Sequence, residues 1–199
     1  MADPDRSEDR PLERCPRCFL QRRLCLCASI PTVVTRTRIV IVRHFSERLR
    51  SSNSGRLAHL ALPNSEIVEH AGQDGLAVLP PLDGAWLLYP AGKELHEAPV
   101  PPPRQLIVLD ATWAQARRMY RKLTGLRGLP MLQLPDAPMP VARLRASPGP
   151  GMVSTIEAIA RALRLLEGDA AATPLETLFE LAVARAAATG RIVGRSPGT

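Results

Sequence analysis

Apolar positions along this chain follow two rhythms. Short, continuous, β-branched runs mark buried strands at Thr37-Arg38-Ile39-Val40-Ile41-Val42-Arg43, Ala85-Trp86-Leu87-Leu88-Tyr89 and Gln105-Leu106-Ile107-Val108-Leu109. Glu66-Ile67-Val68-Glu69 predicts a shorter strand. Helical spacing lies between and after them. One helix is expected from about Ser54 to Leu62, stopped by Pro63, and another from about Ala111 to Thr124. Two more close the chain. The first opens at Ser154-Thr155-Ile156-Glu157, a capping-box sequence, and presents Ile156, Ile159, Ala160, Leu163 and Leu166 on one face. The second is expected from about Pro174 to Thr189, with Leu175, Leu178, Phe179, Ala182 and Val183 turned inward. Strands alternating with helices predict an α/β fold: a mostly parallel sheet with helices on both faces. Residues 1–13 carry few apolar groups and predict a disordered tail. Pro99-Val100-Pro101-Pro102-Pro103 reads as a stiff polyproline loop, and the stretch from Pro130 to Pro150 is proline-rich. There are no internal repeats.

With 199 residues, 45% of them hydrophobic, the chain can build one sizeable core and a small appendage. A formal charge of +7 and a pI of about 10.0 call for an acidic partner, of which a nucleic acid is the usual one. A merely soluble basic protein is the plainer alternative. Asp3, Asp5, Glu8, Asp9 and Glu13 crowd the N-terminus, so the remainder is more basic than the total suggests. No stretch approaches the roughly 20 apolar residues of a membrane span. No apolar run follows Met1 that would serve as a signal peptide. A cytoplasmic location is therefore expected, with no membrane partner and no protein partner implied.

All four cysteines fall in one window: Cys15-Pro16-Arg17-Cys18, then Cys25-Leu26-Cys27. This spacing can bring four sulfurs to one point and suits Zn²⁺ held by four thiolates, a zinc knuckle over residues 14–28. The domain that follows is expected to run from 29 to 199. Two disulfides are the alternative, and they require an oxidising compartment. Four thiolates on Zn²⁺ carry a net charge of −2, and Arg14, Arg17, Arg22 and Arg23 surround them with no acid among residues 14–27. Those arginines can neutralise the cluster or face a phosphate backbone.

In open α/β sheets ligands bind beyond the carboxyl ends of the strands. That rule selects Leu88-Tyr89-Pro90 and Leu109-Asp110-Ala111-Thr112-Trp113. Thr112 can cap the helix that follows, with Gln115 at its third position. Asp110 at this junction is either a functional carboxylate or a helix-dipole partner. Trp113 shares a helical stripe with Ala116, Tyr120 and Leu123, which equally describes a core face. The opposite face carries Arg117, Arg118, Arg121 and Lys122, and no acid occurs between Asp110 and Asp136. A single-sign face suits a polyanion, whereas solvated faces usually mix signs. Arg143 and Arg145 form a second basic patch. The loop Ser147-Pro148-Gly149-Pro150-Gly151 allows close backbone approach to a ligand before the Ser154 helix. No Walker loop, Gly-x-Gly-x-x-Gly or Ser-His-Asp order is present. Of the histidines, only His44 is placed near the sheet's ligand-binding edge, where a structural or surface role is the plainer reading.

Together these motifs resemble the DTW-domain family of tRNA-uridine aminocarboxypropyltransferases. They are the cysteines of 15–27, Asn53-Ser54-Gly55-Arg56-Leu57-Ala58, Leu88-Tyr89-Pro90, Asp110-Ala111-Thr112-Trp113, Arg143-Leu144-Arg145 and Ser154-Thr155-Ile156-Glu157-Ala158, in that order. The resemblance implies a core related to SPOUT-type RNA methyltransferases, with a knotted cofactor site. It also implies a reaction. The 3-amino-3-carboxypropyl group of S-adenosylmethionine moves to N3 of a tRNA uridine, in the variable loop by analogy with bacterial members, and methylthioadenosine leaves. Asp110 would then handle the N3 proton, with Thr112 holding its turn and Trp113 bracing the site. Leu88, Tyr89, Pro90, Leu109, Gly151, Ser154 and Thr155 would hold the cofactor. Arg117, Arg118, Arg121, Lys122, Arg143 and Arg145 would hold RNA, and Zn²⁺ on Cys15, Cys18, Cys25 and Cys27 would be structural. Phe45 stands where the family pattern leads us to expect proline, and Ala142 and Ala146 where it leads us to expect tyrosine and lysine. An RNA methyltransferase of related fold and a non-enzymatic zinc-containing RNA-binding protein are the competing readings.

Overall fold

The computed structural model describes residues 14–72, 75–91, 94–135, 144 and 153–188. Its centre is a run of hydrophobic β-branched residues. Ile39, Val40, Ile41 and Val42 are fully buried because β1 (Arg38–His44) has a strand on each side and helices above and below. Its neighbours are β2 (Ser65–His70) and β4 (Gln105–Asp110). Beyond β4 come β3 (Ala85–Leu88) and the edge strand β5 (Met131–Leu132). The order is β2-β1-β4-β3-β5, and every pairing is parallel. An all-parallel sheet must be covered on both faces, which explains why these strands lack polar alternation.

The pleat divides the core in two. Ile39, Ile41, Leu106 and Val108 face α1 (Ser54–Ala61), α3 (Thr155–Glu167) and α4 (Asp169–Ala187). Val40, Val42, Ile107 and Leu109 face Met119 of α2 (Trp113–Lys122) and the following Leu123 and Leu126. The expected parallel sheet with helices on both faces is therefore present. The cysteine-bearing segment shares the larger core, where Leu20, Leu24 and Leu26 are buried against it.

Three helix starts obey their local sequence. Asn53 Oδ1 accepts from the Arg56 amide at 2.9 Å to cap α1. Thr112 with Gln115, and Ser154 with Glu157, form complete capping boxes for α2 and α3. The start of α4 differs from expectation. It begins at Asp169, five residues before Pro174, which lies inside the helix. Gly168, at φ 91°, lets the chain turn directly out of α3. The alanines that follow are strong helix formers, and burial of Ala171 and Ala172 offsets the hydrogen bond that Pro174 cannot donate. Strand β5 has only two residues, next to Pro130, too short for a periodicity to show. The tail 1–13 lies outside the described residues, as does most of 136–152.

Candidate active site at the C-terminal edge of the sheet

Asp110 ends β4 on the α1/α3 side of the sheet and is only 2% exposed. A carboxylate so placed must find its partners inside the protein. Asn53 Nδ2 donates to its Oδ2 at 2.6 Å, and the Thr155 hydroxyl donates to its Oδ1 at 2.6 Å. Both donors sit at helix starts, so Asp110 ties the N-termini of α1 and α3 to the tip of β4. The positive ends of two helix dipoles lie around it. The approach of α1 is possible only because residue 55 is glycine: a Cβ there would stand 2.7 Å from Asp110 Oδ2. Burial raises the Asp110 pKa, the Asn53 and Thr155 hydrogen bonds oppose that rise, Glu47 adds to it, and Arg43 opposes it. In register beside Asp110 is Arg43, itself buried and bonded to Glu69 on β2, Nε to Oε1 at 3.1 Å. A charged row Glu69–Arg43–Asp110 thus crosses the ends of three neighbouring strands.

Thr155 faces two ways. It bonds Asp110 and also lines an open cleft. The cleft opens beyond the ends of β3, β4 and β5. Leu88, Tyr89 and Pro90 form one side, Leu109, Ala111, Trp113 and Ala116 another, and Gln133 to Pro135 with Ala158 and Arg161 complete it. The two strand ends selected from sequence therefore converge on one cavity, as does the start of α3. Trp113 is half-buried against this space, while the core stripe of α2 consists of Ala116 and Met119. Ser154 caps α3 and is not among the lining residues, and Thr112 likewise serves its own helix. Gly151, Arg143 and Arg145 lie outside the described residues, as do Ala142 and Ala146.

The basic face of α2 stands free. Arg117, Arg118, Arg121 and Lys122 are exposed, and none joins an ion pair among the described residues. At the start of the same helix, Gln115 Nε2 reaches His44 Nδ1 at 3.3 Å and Ser46 Oγ at 3.1 Å. Burial lowers the His44 pKa, so its ring is neutral at pH 7. Phe45, half exposed, lies beside that ring at 5.1 Å between centroids. His44 is thus a structural link between β1 and α2, at the sheet edge where sequence placed it.

The four cysteine sulfurs lie within 4.8 Å of one another and form no disulfide. Cys15 Sγ is 3.5 Å from Cys27 Sγ, and Cys18 Sγ is 3.8 Å from Cys25 Sγ. A tetrahedral ion with metal–sulfur bonds of about 2.3 Å separates its ligands by roughly 3.8 Å, so the cluster fits a metal such as zinc. Burial disfavours charge on Cys15, but the Cys18 and Arg17 amides donate to its sulfur and lower its pKa to about 6. Burial and the neighbouring sulfurs push Cys27 up to about 12. Four thiolates at this spacing need a shared cation to be charged together. Arg185 near the end of α4 donates to the Cys25 carbonyl and fixes the segment to the main core.

Two residues of this region escaped assignment from sequence. Asn53 precedes a helix as a cap should, yet its second bond, to Asp110, comes from a strand 57 residues away. Arg161 sits on α3 among alanines and leucines with no local mark of a site.

Residues 12–187 match the DTW domain family. The chain is 27% identical over 178 residues to tRNA-uridine aminocarboxypropyltransferase 2 of Mus musculus, covering 82% of this chain and 59% of that protein. It is 27% identical over 179 residues to the Drosophila melanogaster protein of the same name, covering 81% and 70% respectively. It is 28% identical over 194 residues to tRNA-uridine aminocarboxypropyltransferase A of Arabidopsis thaliana, covering 78% and 73%. The chain thus spans about three fifths of the mouse protein's length. No solved structure matches.

Proposed function

The chain belongs to the DTW-domain family, and on that premise we propose that it moves the 3-amino-3-carboxypropyl group of S-adenosylmethionine to N3 of a tRNA uridine in the variable loop, releasing methylthioadenosine. The names of its relatives support a tRNA-modifying transferase. The observation that carries the reading is the convergence of Leu88, Tyr89, Pro90, Leu109, Ala111, Trp113 and Thr155 on one cleft at the ligand-binding edge of a parallel sheet, with Asp110 behind Thr155. Such an edge fits S-adenosylmethionine: apolar walls for the nucleoside, aromatic Tyr89 and Trp113 for a sulfonium, and Gln133 and Thr155 as polar contacts. Ser154, the cap of α3, and Gly151, which lies outside the described residues, complete the proposed cofactor set. Bound there, it supplies an activated carbon with a good leaving group, so the protein's tasks are orientation and proton removal.

Asp110 is the proton acceptor in this proposal, and Thr155 connects it to the cavity. The Thr155 hydroxyl already gives its proton to Asp110, leaving its oxygen lone pairs for the uridine N3–H. As N3 attacks, that proton passes to Thr155 and the Thr155 proton to Asp110. Burial, which raises the Asp110 pKa, favours its accepting a proton. Asn53 holds the carboxylate in place throughout. The exposed Arg117, Arg118, Arg121 and Lys122, with Arg143 and Arg145, hold the RNA phosphates. Zinc on the four cysteines is structural, since a closed four-thiolate site leaves no position for substrate. The strand order supports a SPOUT-related core, and its knotted passage and a cytoplasmic location belong to the same proposal.

Single-turnover assays test the relay. Thr155→Ser keeps the hydroxyl and should retain activity, while Thr155→Ala should lower methylthioadenosine release by at least about tenfold. Equal rates for the two variants would remove Thr155 from the chemistry.

A further inference from the structure

The reading above puts S-adenosylmethionine in the cleft, and resting on it we propose that Arg161 grips the carboxylate of the chain to be transferred. Among the described residues lining the cleft, Arg161 is the one that carries a formal charge. The transferred chain ends in a carboxylate, and a carboxylate drawn out of water needs a cation or several donors. Thr155, Ala158 and Arg161 follow one another at helical spacing along a single face of α3, and all three line the cavity. The small Ala158 leaves room between them. Helical side chains lean toward the N-terminus, so Arg161 reaches back toward Thr155 and the reacting end.

The guanidinium is already aimed. One Nη2–H donates to the carbonyl of Pro135, itself a lining residue of the cleft, which fixes the planar group there. A guanidinium has five N–H donors in a fixed fork, and among the described residues no other partner claims the remainder, which suits a two-pronged contact with a carboxylate. No acid of the described residues pairs with it. Arg164, three residues on, shows the contrast: Asp169 and Glu176 occupy it, with Nε 2.7 Å from Asp169 Oδ1 and Nη2 2.7 Å from Glu176 Oε2. Held by its carboxylate at Arg161, the chain presents its far carbon toward the Thr155 end. The same contact stays with the chain once it is on the uridine, while methylthioadenosine, which lacks the carboxylate, loses it and can leave.

Calorimetric titration of the metal-loaded full-length protein tests this with three ligands: S-adenosylmethionine, its decarboxylated analogue and methylthioadenosine. The wild type should prefer S-adenosylmethionine to the decarboxylated analogue by roughly 10- to 100-fold, as expected for a charge-assisted pair. Arg161→Gln keeps a donor for Pro135 but removes the charged fork. It should erase most of that preference and leave methylthioadenosine affinity unchanged, and Arg161→Ala should do the same. If either variant keeps the preference, the carboxylate lies elsewhere and the proposal fails. If Arg161→Gln weakens all three ligands alike, Arg161 only braces the cleft wall, and the proposal fails again. A wild type that binds none of them overturns the cofactor reading itself, an outcome distinct from either.

Discussion

Replacing Asn53 by alanine removes two bonds with one cut. The first is the cap on α1, the 2.9 Å bond from the Arg56 amide, whose loss costs about 1 kcal/mol. The second is the 2.6 Å bond to Asp110, a hydrogen bond to a buried charged group worth about 1.5–3 kcal/mol. Together they give a destabilisation of about 2.5–4 kcal/mol, or a fall in Tm of roughly 5–15 °C for a chain of this size. Asn53→Asp separates the two terms. It keeps an oxygen for the cap but sets a second carboxylate against Asp110, so one of the pair must hold a proton. Its folded form then binds more protons than the unfolded chain at any pH between the unfolded carboxylate value, about 4, and the raised value of the pair. Its stability therefore rises as pH falls through that window, and its deficit is largest at neutral pH and above. Urea unfolding of metal-loaded protein at several pH values measures both variants. A cost below about 1 kcal/mol for Asn53→Ala, or an Asn53→Asp profile parallel to the wild type, would refute the picture of Asp110 as a carboxylate held by Asn53.

Asp110→Asn should fold and bind S-adenosylmethionine, because its amide can accept from Asn53 and donate to Thr155, yet single-turnover rate should fall at least about 100-fold. It should also lose the wild-type gain in stability on acidification that follows from the raised Asp110 pKa; a near-normal rate would make Asp110 structural only. Purified protein should hold about one zinc per chain, and Cys15→Ser or chelation should lower Tm, since Leu20, Leu24 and Leu26 are packed in the main core. Metal analysis finding none would remove the zinc site. Replacing Arg117 and Arg121 by alanine should weaken tRNA binding and flatten its log–log salt dependence by roughly one to two units, with S-adenosylmethionine affinity unchanged. A steady salt slope would move the RNA to another surface.

The parts legible in sequence were those governed by near neighbours. Buried runs such as Ile39–Val42 announce strands between helices, and Thr112 and Ser154 announce helix starts, because capping needs only the next three residues. The cysteine cluster was legible for the same reason: its four ligands span 13 residues, Cys15 to Cys27. The start of α4 was not, since Pro174 is a strong local signal that Gly168 and the buried Ala171 and Ala172 override through tertiary packing. Asp110 could be placed at a strand end, but its partners Asn53 and Thr155 come from helices 57 and 45 residues away in sequence. The parallel register that sets β4 beside β1, and the packing of α3 against the same face of the sheet, bring them together. Arg161 was silent because nothing in α3 distinguishes a cation facing a cavity from one facing water.

The central claim is tested most directly by the modified nucleoside itself. Unmodified tRNA is incubated with the purified protein and S-adenosylmethionine, digested, and its nucleosides weighed by mass spectrometry. A uridine heavier by about 101 Da, the mass of the aminocarboxypropyl group, is expected, with methylthioadenosine released in equal amount. A gain of about 14 Da would identify a methyltransferase instead. An unchanged tRNA that nonetheless binds the protein would contradict the transferase reading altogether.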